Sequence, residues 1–387
     1  MHPDTSSSSP EREIRALPEL RLERGALAHN VRLMTEWCRE HRVELCPHIK
    51  TTMVRPIVEQ QLGAGAWGVT VATARQADVA CGWGVRRILV ANEVIHSADL
   101  ALLRHLLDET PDLELFCLID SSAGVDLAAA ALHDTHNPLR VLLDVGVPGG
   151  RTGVRNAAEA YELAAAAVKA SPGLLLAGVA GYEGVRPNTR DAATLAAVDD
   201  HCRMTAEIFE SLAPLYETAR PVFSMGGSAF PDRVVHAVAE LLNRCGDLPL
   251  VPVLRSGCYV THDHGTYAQV TPLPGLRPAL TVRATVLSTP ENGTAVVGAG
   301  KRELPYDAGL PVVLGARSAA GTHREVRATA SRIYDHHLVL TPAQGLQVGD
   351  EVDLGISHPC SAFDRWPDIT VVNEEGGTCD VWHPQFR

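Results

Sequence analysis

Short apolar segments recur along the first two thirds of the chain, with longer segments between them. The short segments lack a polar alternation, which is typical of strands that are buried on both faces of a parallel sheet. The sequence predicts eight such strands, at Val43–Cys46, Trp67–Val71, Arg87–Val90, Glu114–Ile119, Arg140–Val145, Gly178–Tyr182, Pro221–Ser224 and Leu250–Leu254.

The longer segments are rich in alanine and leucine at helical spacing. They are Ala72–Cys81, Ala98–Leu107, Ala123–His133, Ala157–Ala170, Thr194–Leu212 and Asp232–Leu242. A regular alternation of buried strands and helices predicts an α/β fold, with eight strands closing a (β/α)8 TIM-type barrel. An open, doubly wound sheet is the alternative.

The pattern changes after about Tyr267, where short alternating segments are separated by Gly, Pro, Asn and Asp turns. These features predict a C-terminal antiparallel β domain. We expect a disordered tail at 1–16, a barrel at 17–265 and a β domain at 266–387, with residues 17–24 able to add a strand to the β domain. The alternating segments are Ala279–Leu287, Thr294–Val297, His337–Leu340, Glu351–Leu354 and, before the barrel, Glu19–Glu23.

Composition narrows the class of protein. The chain has 387 residues, of which 45% are hydrophobic and 21% charged, as in globular proteins. Its formal net charge of −12 argues against a nucleic-acid partner. No apolar run is long enough to span a membrane, and the N-terminus lacks the apolar segment of a signal peptide. The nine cysteines are scattered without CxxC spacing, which favours a reducing cytoplasm over a disulfide framework.

The first predicted barrel strand runs directly into Cys46-Pro47-His48-Ile49-Lys50-Thr51-Thr52. A lysine just past the C-terminal end of a barrel strand points into the mouth where barrel active sites form. Burial there favours a nucleophilic amine that can form a Schiff base with an aldehyde. Lys50 is therefore the candidate catalytic lysine, whereas we interpret His48 as a structural hydrogen-bonding residue.

Glycine-rich turns follow the seventh and eighth predicted strands, where barrels usually bind phosphate. The first is Gly226-Gly227-Ser228 and the second is Arg255-Ser256-Gly257-Cys258-Tyr259. Glycines allow a close approach, and free backbone N–H groups bind an anion without net positive charge. The predicted phosphate site comprises Gly227, Ser228, Gly257, Cys258 and Tyr259.

Two further residues follow predicted strands. Arg151 lies in the glycine-rich loop after the fifth strand, where it is either a salt-bridged loop residue or a cation beside a cofactor ring. Tyr182 lies between two glycines after the sixth strand and is either a cavity residue or a buried core tyrosine. We carry both forward as candidate cofactor-binding residues.

The C-terminal segment Ser357-His358-Pro359-Cys360 places an imidazole and a thiol two residues apart. Nitrogen and sulfur ligands favour zinc over magnesium, and a pair of protein ligands leaves positions for water and substrate. His358 and Cys360 are therefore the candidate metal ligands. A rival pair is present at His262 and His264.

The lysine motif and the His-x-Cys motif, in this order and at this separation, resemble those of the fold-type III pyridoxal phosphate enzymes. The resemblance is strongest to the metal-dependent branch that contains D-serine dehydratase and D-threonine aldolase, and it extends from about residue 17 to the C-terminus. It implies an alanine racemase-like barrel with a β domain, pyridoxal phosphate bound to Lys50, Zn²⁺ held by His358 and Cys360, and a homodimer.

The resemblance also implies a lyase that acts on a small-molecule substrate, a D-3-hydroxy amino acid. Relatives that eliminate water usually carry Cys at the position of Cys360, and relatives that cleave threonine-type substrates usually carry Asp. We therefore predict a dehydratase that yields a 2-oxo acid and ammonia. The alternatives are retro-aldol cleavage to glycine and an aldehyde, an amino-acid racemase, and a non-catalytic protein that binds pyridoxal phosphate.

The chain departs from the family pattern at one place. Many members continue the lysine motif as Lys-Thr-His-Lys, whereas Thr52 and Met53 follow Lys50-Thr51 here. We expect the rim beside Lys50 to lack a histidine and a cation, which leaves the substrate side chain open.

Overall fold

The computed structural model describes residues 16–245 and 249–386. The predicted N-terminal tail, apart from Ala16, lies outside the described residues. No helix in the described ranges is long and apolar enough to cross a membrane.

Eight parallel strands form the first sheet. They are β2 (Glu44–Leu45), β3 (Val69–Val71), β4 (Arg87–Glu93), β5 (Glu114–Ile119), β6 (Leu139–Val145), β7 (Leu174–Gly181), β8 (Val222–Met225) and β9 (Val251–Leu254), and their order is β2-β9-β8-β7-β6-β5-β4-β3. Backbone bonds close the ring, because Trp67 N–H donates to Leu45 O at 2.8 Å and Thr70 N–H donates to Pro47 O at 2.9 Å. The predicted closed barrel is confirmed, and the open sheet is not formed.

Helices follow the barrel strands and cover their outer face. They are α2 (Arg55–Gly63), α3 (Ala74–Gly82), α4 (Ser97–Glu109), α5 (Ser122–Leu132), α6 (Ala157–Lys169), α7 (Ala192–Ser211) and α8 (Pro231–Cys245), whereas α1 (Arg24–Glu40) precedes β2 and α9 (Thr266–Val270) follows β9. Several start at a polar side chain that accepts a hydrogen bond from the first turn, such as Asn156 from Glu159 N–H and Asp191 from Thr194 N–H.

The second sheet is mostly antiparallel. It contains β1 (Glu19–Glu23), β10 (Leu280–Glu291), β11 (Thr294–Val297), β12 (Val312–Arg317), β13 (His323–Arg324), β14 (Arg327–Ile333), β15 (Leu338–Gln344), β16 (Glu351–Gly355), β17 (Ile369–Val372) and β18 (Thr378–Trp382). The N-terminal segment that was expected to add a strand forms β1 of this sheet. β1 lies between β10, to which it is antiparallel, and β17, to which it is parallel.

The two sheets are joined by short polar contacts at the C-terminal ends of the barrel strands. His264 N–H donates to Ile356 O and Thr266 N–H donates to Ser357 O, both at 2.9 Å. A Cβ on Gly265 would lie 2.6 Å from Ser357 O, so only glycine permits this approach. The contacts place the segment after β16 across the mouth of the barrel. We refer to residues 264–266 and 356–357 as the junction.

Asn30 of α1 reinforces the same region. Its side-chain amide donates to Arg277 O at 2.7 Å and to Val260 O at 3.2 Å, and its oxygen accepts from Arg277 N–H at 2.8 Å. The residue is fully buried. One side chain therefore satisfies three backbone groups on the connection between the barrel and the second sheet.

Replacing Asn30 by Ala should destabilise the protein by about 1–3 kcal/mol, because it leaves the buried Val260 carbonyl and the partly buried backbone groups of Arg277 without their partner. The measurement is the urea unfolding midpoint, followed by circular dichroism. The matched control is Glu36→Ala, at an exposed position of the same helix, which should change the midpoint little. Equal midpoints for the two variants would contradict the role assigned to Asn30.

Candidate active site

Lys50 lies at the top of the barrel where β2 ends. The chain stays extended through His48, since Cys46 N–H donates to Leu254 O and His48 N–H donates to Arg255 O. A single 3-10 turn over Ile49–Thr51 follows and buries the Ile49 side chain. The turn leaves the Lys50 side chain accessible in a cavity of about 250 Å³.

This cavity brings together most of the residues that the sequence predicts for the site. The predicted residues that line it are Lys50, Arg151, Tyr182, Gly227, Ser228, Gly257, Cys258 and Cys360. Tyr259 and His358 are not among the lining side chains. The Tyr259 ring is buried in the core, where its hydroxyl accepts a hydrogen bond from Gln61 Nε2 at 2.9 Å.

The glycine turns after β8 and β9 meet at one end of the cavity. Ser256 Oγ donates to Gly227 O at 2.6 Å, and Cys258 N–H donates to Ser228 Oγ at 3.2 Å. A Cβ on Gly257 would lie 2.3 Å from His48 O, so a glycine is required where this turn contacts the lysine segment. The two turns thus form one continuous wall beside Lys50.

Glu183 is part of this wall and was not predicted from the sequence. Its carboxylate is fully buried and accepts hydrogen bonds from Gly227 N–H at 2.6 Å and Gly226 N–H at 3.2 Å. The Gly227 N–H, which the sequence predicts as a phosphate ligand, therefore already has a carboxylate partner. The sequence signal that could have identified Glu183 is its position directly after Tyr182, which was already predicted to lie at the site.

Arg151 and Tyr182 form a contact on the cavity wall. The Arg151 guanidinium carbon lies 4.8 Å from the centre of the Tyr182 ring, within the range of a cation–π interaction. Burial and the nearby Glu183 carboxylate raise the pKa of Tyr182 to about 12, so the phenol stays protonated at neutral pH. Both residues face the cavity, as predicted.

Arg255 is a second functional candidate that sequence reasoning passed over. Its guanidinium is buried and lines the cavity. It donates to Ser224 O at 2.8 Å, to Ser224 Oγ at 2.7 Å and to Gly181 O at 2.7 Å. These bonds hold a fixed positive charge at the ends of β7 and β8. Its place immediately after the last barrel strand was the signal that could have identified it.

His48 also lines the cavity. Burial, followed by the charges of Lys50 and Arg255, holds its pKa well below the usual histidine range, so the imidazole is neutral. Its Nδ1 is buried and has no hydrogen-bond partner among the described residues. A neutral ring with an unpartnered nitrogen can form a hydrogen bond with a polar ligand in the cavity. His48 is therefore a candidate ligand-binding residue in addition to its predicted structural role.

Cys258 and Cys360 form a contact between thiols at the edge of the cavity. Their Sγ atoms lie 3.3 Å apart, and Thr51 Oγ1 lies 3.9 Å from the Cys258 sulfur. The hydrogen bond between the thiols lowers the pKa of Cys258, because the Cys360 S–H stabilises the Cys258 thiolate. The same bond, together with burial, raises the pKa of Cys360.

His358 lies beside the cavity. Its ring packs against Tyr267, with 5.3 Å between the ring centres. Its Nδ1 is buried without a partner among the described residues. Asp263 fixes Tyr267 by accepting from the Tyr267 N–H at 3.0 Å. Across the described ranges, no group of three or more His, Cys, Asp or Glu side chains is arranged to hold a metal ion.

Of the rival pair His262 and His264, His264 lies at the junction and His262 lies two residues before it. Burial and the neighbouring His262 lower the pKa of His264 to about 4. The His264 ring packs on Gly355, where a Cβ would come within 2.6 Å of it. These contacts are those of a packing residue.

Thr52 and Met53 are both buried. The expectation that these positions form the rim beside Lys50 is therefore wrong, since both side chains are packed inside the protein.

Comparison with known proteins gives the family. Residues 22–230 match the alanine racemase N-terminal domain, and residues 279–372 match the serine dehydratase domain family. The chain belongs to the alanine racemase-like, fold-type III pyridoxal phosphate enzymes.

The relatives of this chain include an aldolase and a dehydratase, which are the two kinds of lyase considered above. D-threonine aldolase from an Arthrobacter species is 27% identical over 376 residues, which cover 96% of this chain and 92% of the relative. D-threo-3-hydroxyaspartate dehydratase from a Delftia species is 25% identical over 297 residues, covering 76% of this chain and 73% of the relative. The prediction of an enzyme of the lyase class is confirmed.

Solved structures agree with the fold. The crystal structure of D-threonine aldolase from Filomicrobium marinum has a TM-score of 0.79 at 26% identity, with 95% of both chains covered. A mutant of the Delftia dehydratase, solved in a metal-free form, has a TM-score of 0.75 at 21% identity, covering 96% of this chain and 98% of that chain. The predicted alanine racemase-like architecture is confirmed.

The residues of this fold-type III chain fit pyridoxal phosphate. The cavity offers an accessible amine on Lys50, an unpartnered Nδ1 on His48, and two glycine turns whose backbone meets beside that amine. Its volume of about 250 Å³ lies near the lower end of ordinary ligand pockets, roughly 300–1,000 Å³. Family membership and this wall chemistry together support the predicted cofactor.

Glu93, at the end of β4, carries a shifted pKa close to this site. Burial, followed by the charge of Asp144, raises its pKa from 4.5 to about 7, and its Oε1 is buried without a partner among the described residues. Asp144 lines the cavity and accepts from Thr152 Oγ1 at 2.9 Å.

The raised pKa of Glu93 predicts a pH-dependent loss of stability. The folded protein binds a proton at Glu93 between pH 4.5 and about 7 that the unfolded chain releases, so this contribution to stability falls as pH rises. Glu93→Gln should unfold at the same temperature as wild type near pH 4.5. At pH 8 it should unfold roughly 1–3 °C higher. Calorimetry at the two pH values measures this, and identical differences at both would contradict the shift.

Proposed function

We propose that the protein is a pyridoxal phosphate- and zinc-dependent lyase that eliminates water from a D-3-hydroxy amino acid. Hydrolysis of the unsaturated product takes up one water, releases ammonia and leaves a 2-oxo acid. The observation that carries the proposal is that Lys50 and Cys360 lie in the wall of one cavity, although they are far apart in the sequence. A reactive amine and a metal-ligating thiol can therefore act on the same small molecule.

Lys50 and the two glycine turns would hold the cofactor. Ser228, Gly257 and Cys258 would bind its phosphate, whereas Gly227 shapes the turn through its bond to Glu183. Tyr259 supports this end from the core through its bond to Gln61. Arg151 and Tyr182 would contact the cofactor from the cavity wall. Pyridoxal phosphate, when bound, supplies an electron sink for the charge left at Cα after a proton is removed.

Lys50 moves the proton at Cα. Lys50 would hold the cofactor through its amine, and the same amine, when free, would accept the proton from Cα of the substrate. Arg255 is held by three hydrogen bonds, so its positive charge stays in place as charge builds up nearby. His48 is neutral, and its unpartnered Nδ1 is free to form one hydrogen bond with a ligand.

His358 and Cys360 would hold the metal. The unpartnered His358 Nδ1 and the Cys360 thiol are a nitrogen and a sulfur donor, a set that suits zinc. A zinc ion, when bound, supplies a Lewis acid for the departure of the β-hydroxyl group. The metal-free form described for the Delftia dehydratase supports a metal in that relative. Tyr267 keeps the His358 ring in place through the packing described above.

Retro-aldol cleavage is the second candidate. It is favoured by the likeness to D-threonine aldolase over 96% of this chain. The two reactions differ in the fate of the β-hydroxyl group, which departs in dehydration and loses its proton in cleavage. Cys360, with the softer ligand atom, favours dehydration.

We further propose that the enzyme is a cytoplasmic homodimer.

Borohydride reduction should join pyridoxal phosphate covalently to Lys50, because a Schiff-base lysine is trapped by hydride. The purified protein should be yellow, and peptide mapping by mass spectrometry should place the label on Lys50. Lys50→Ala should lose both the colour and the label. Lys301→Ala, which removes a lysine of the β domain that contacts the Tyr306 ring, should keep both. A label on another lysine would overturn the assignment.

Cys360→Asp should lower dehydration by at least about tenfold, which corresponds to roughly 1.4 kcal/mol in the barrier. A carboxylate is a harder ligand and shifts metal preference away from zinc. Aldol cleavage of a D-threonine-type substrate should fall less. The measurement is the ratio of 2-oxo acid to glycine formed from one substrate.

Cys360→Ser is the matched control, because it removes the thiolate without adding a carboxylate and should lower both products. If the wild-type enzyme forms glycine and an aldehyde without any 2-oxo acid, dehydration is the wrong assignment and retro-aldol cleavage replaces it.

A further inference from the structure

The thiol of Cys258 has no part in the proposed reaction. Its backbone belongs to the glycine turn after β9, which is proposed to bind phosphate, whereas its sulfur contacts Cys360 at the edge of the cavity. The two residues are supplied by different sheets, Cys258 by the turn after β9 and Cys360 by the turn after β16. Their contact therefore depends on the junction between the barrel and the β domain.

The sulfur atoms of Cys258 and Cys360 lie close enough for a disulfide to form after a small movement. The sulfurs are 3.3 Å apart, whereas a disulfide requires about 2.05 Å, so small rotations of the two side chains would join them. Among the described cysteines, no other pair of sulfurs is in hydrogen-bonding contact. Cys46, Cys81 and Cys117 bond instead to hydroxyl or carbonyl groups.

The pair is also open to a small oxidant. Both cysteines line the cavity that contains Lys50, and Cys360 is only partly buried. A molecule the size of a peroxide can reach the cavity along the path that the substrate takes.

We propose that Cys258 and Cys360 form a reversible disulfide under peroxide and that this bond switches the active site off. Hydrogen peroxide oxidises one thiol to a sulfenic acid and releases one water. The second sulfur then attacks the first, the S–S bond forms, and a second water leaves. The thiols lose two electrons and two protons in total, and the peroxide is reduced to two waters. A dithiol reductant restores both thiols.

The bond has two consequences at the site. It converts Cys360 from a thiolate donor into a disulfide sulfur, which no longer serves as a metal ligand. It also links the glycine turn after β9 covalently to the β domain. A metal ion bound at Cys360 competes with the bond, so metal-free protein is oxidised faster. The loss of activity rests on the proposed function, whereas the bond itself does not.

The test treats the full chain with hydrogen peroxide, with and without prior chelation, and follows intact mass under non-reducing conditions. The expected product is a monomer that is lighter by two hydrogens, about 2 Da. Non-reducing peptide mapping should join the peptides of Cys258 and Cys360. Formation should be at least about threefold faster after chelation, and dithiothreitol should reverse it. Zinc retention measured on the same samples should fall as the disulfide forms.

Two variants test whether the oxidation is specific to Cys258 and Cys360 or affects cysteines in general. Cys258→Ser should form no intramolecular bond and should instead accumulate oxygen adducts on Cys360 that dithiothreitol does not fully reverse. Cys379→Ser removes an exposed cysteine whose sulfur contacts a backbone carbonyl, and it should form the bond as wild type does. Oxygen adducts on Cys360 in the wild-type protein, with Cys258 left free, would overturn the proposal. A bond without any loss of lyase turnover would leave the disulfide in place but overturn the switch.

Discussion

The active site depends on the pair of backbone hydrogen bonds at the junction. His264 N–H and Thr266 N–H donate to Ile356 O and Ser357 O, and the absence of a side chain at Gly265 allows the two segments to touch. The barrel alone supplies the amine of Lys50 and the two glycine turns. His358 and Cys360, the proposed metal ligands, come from the segment that follows the other sheet, directly after Ser357. A shift of one residue at the junction would move Cys360 away from the cavity.

The charges around the cavity are fixed by partners that belong to the protein. Arg255 is held by carbonyls at the ends of β7 and β8, and Glu183 is held by the backbone of the β8 turn. These groups need little rearrangement when a charged ligand arrives, which is the condition for strong electrostatic effects in a buried site. Lys50 and Arg151 remain accessible by comparison. The site thus contains fixed charges in its wall and mobile charges at its opening.

The barrel and the lysine could be predicted because their signals are local. Buried parallel strands are apolar throughout, and Lys50 directly follows one of them. The half-exposed strands β12 and β14 were not predicted. The residues of β14 are mostly polar or small, whereas β12 begins with Val312, Val313 and Leu314 and so lacks an alternation of apolar and polar residues. Glu183 and Arg255 were missed for a different reason. Their partners are backbone groups on other strands, and a sequence does not show which backbone groups remain unpaired. Tyr259 faces the core because its 3-10 turn rotates it away from Cys258.

The position of β1 has a consequence for the order in which the chain can fold. Arg21 pairs with Thr281 on one side and with Thr370 on the other. A ribosome adds roughly 5–20 residues per second, so Thr370 follows Arg21 by roughly 20–70 s. In the first part of that time, until β10 is made, the first strand of the β domain has no partner, whereas the last barrel strand ends at Leu254, before β10 begins at Leu280. The barrel can therefore close first, and the β domain, with His358 and Cys360, is completed only when synthesis is nearly finished.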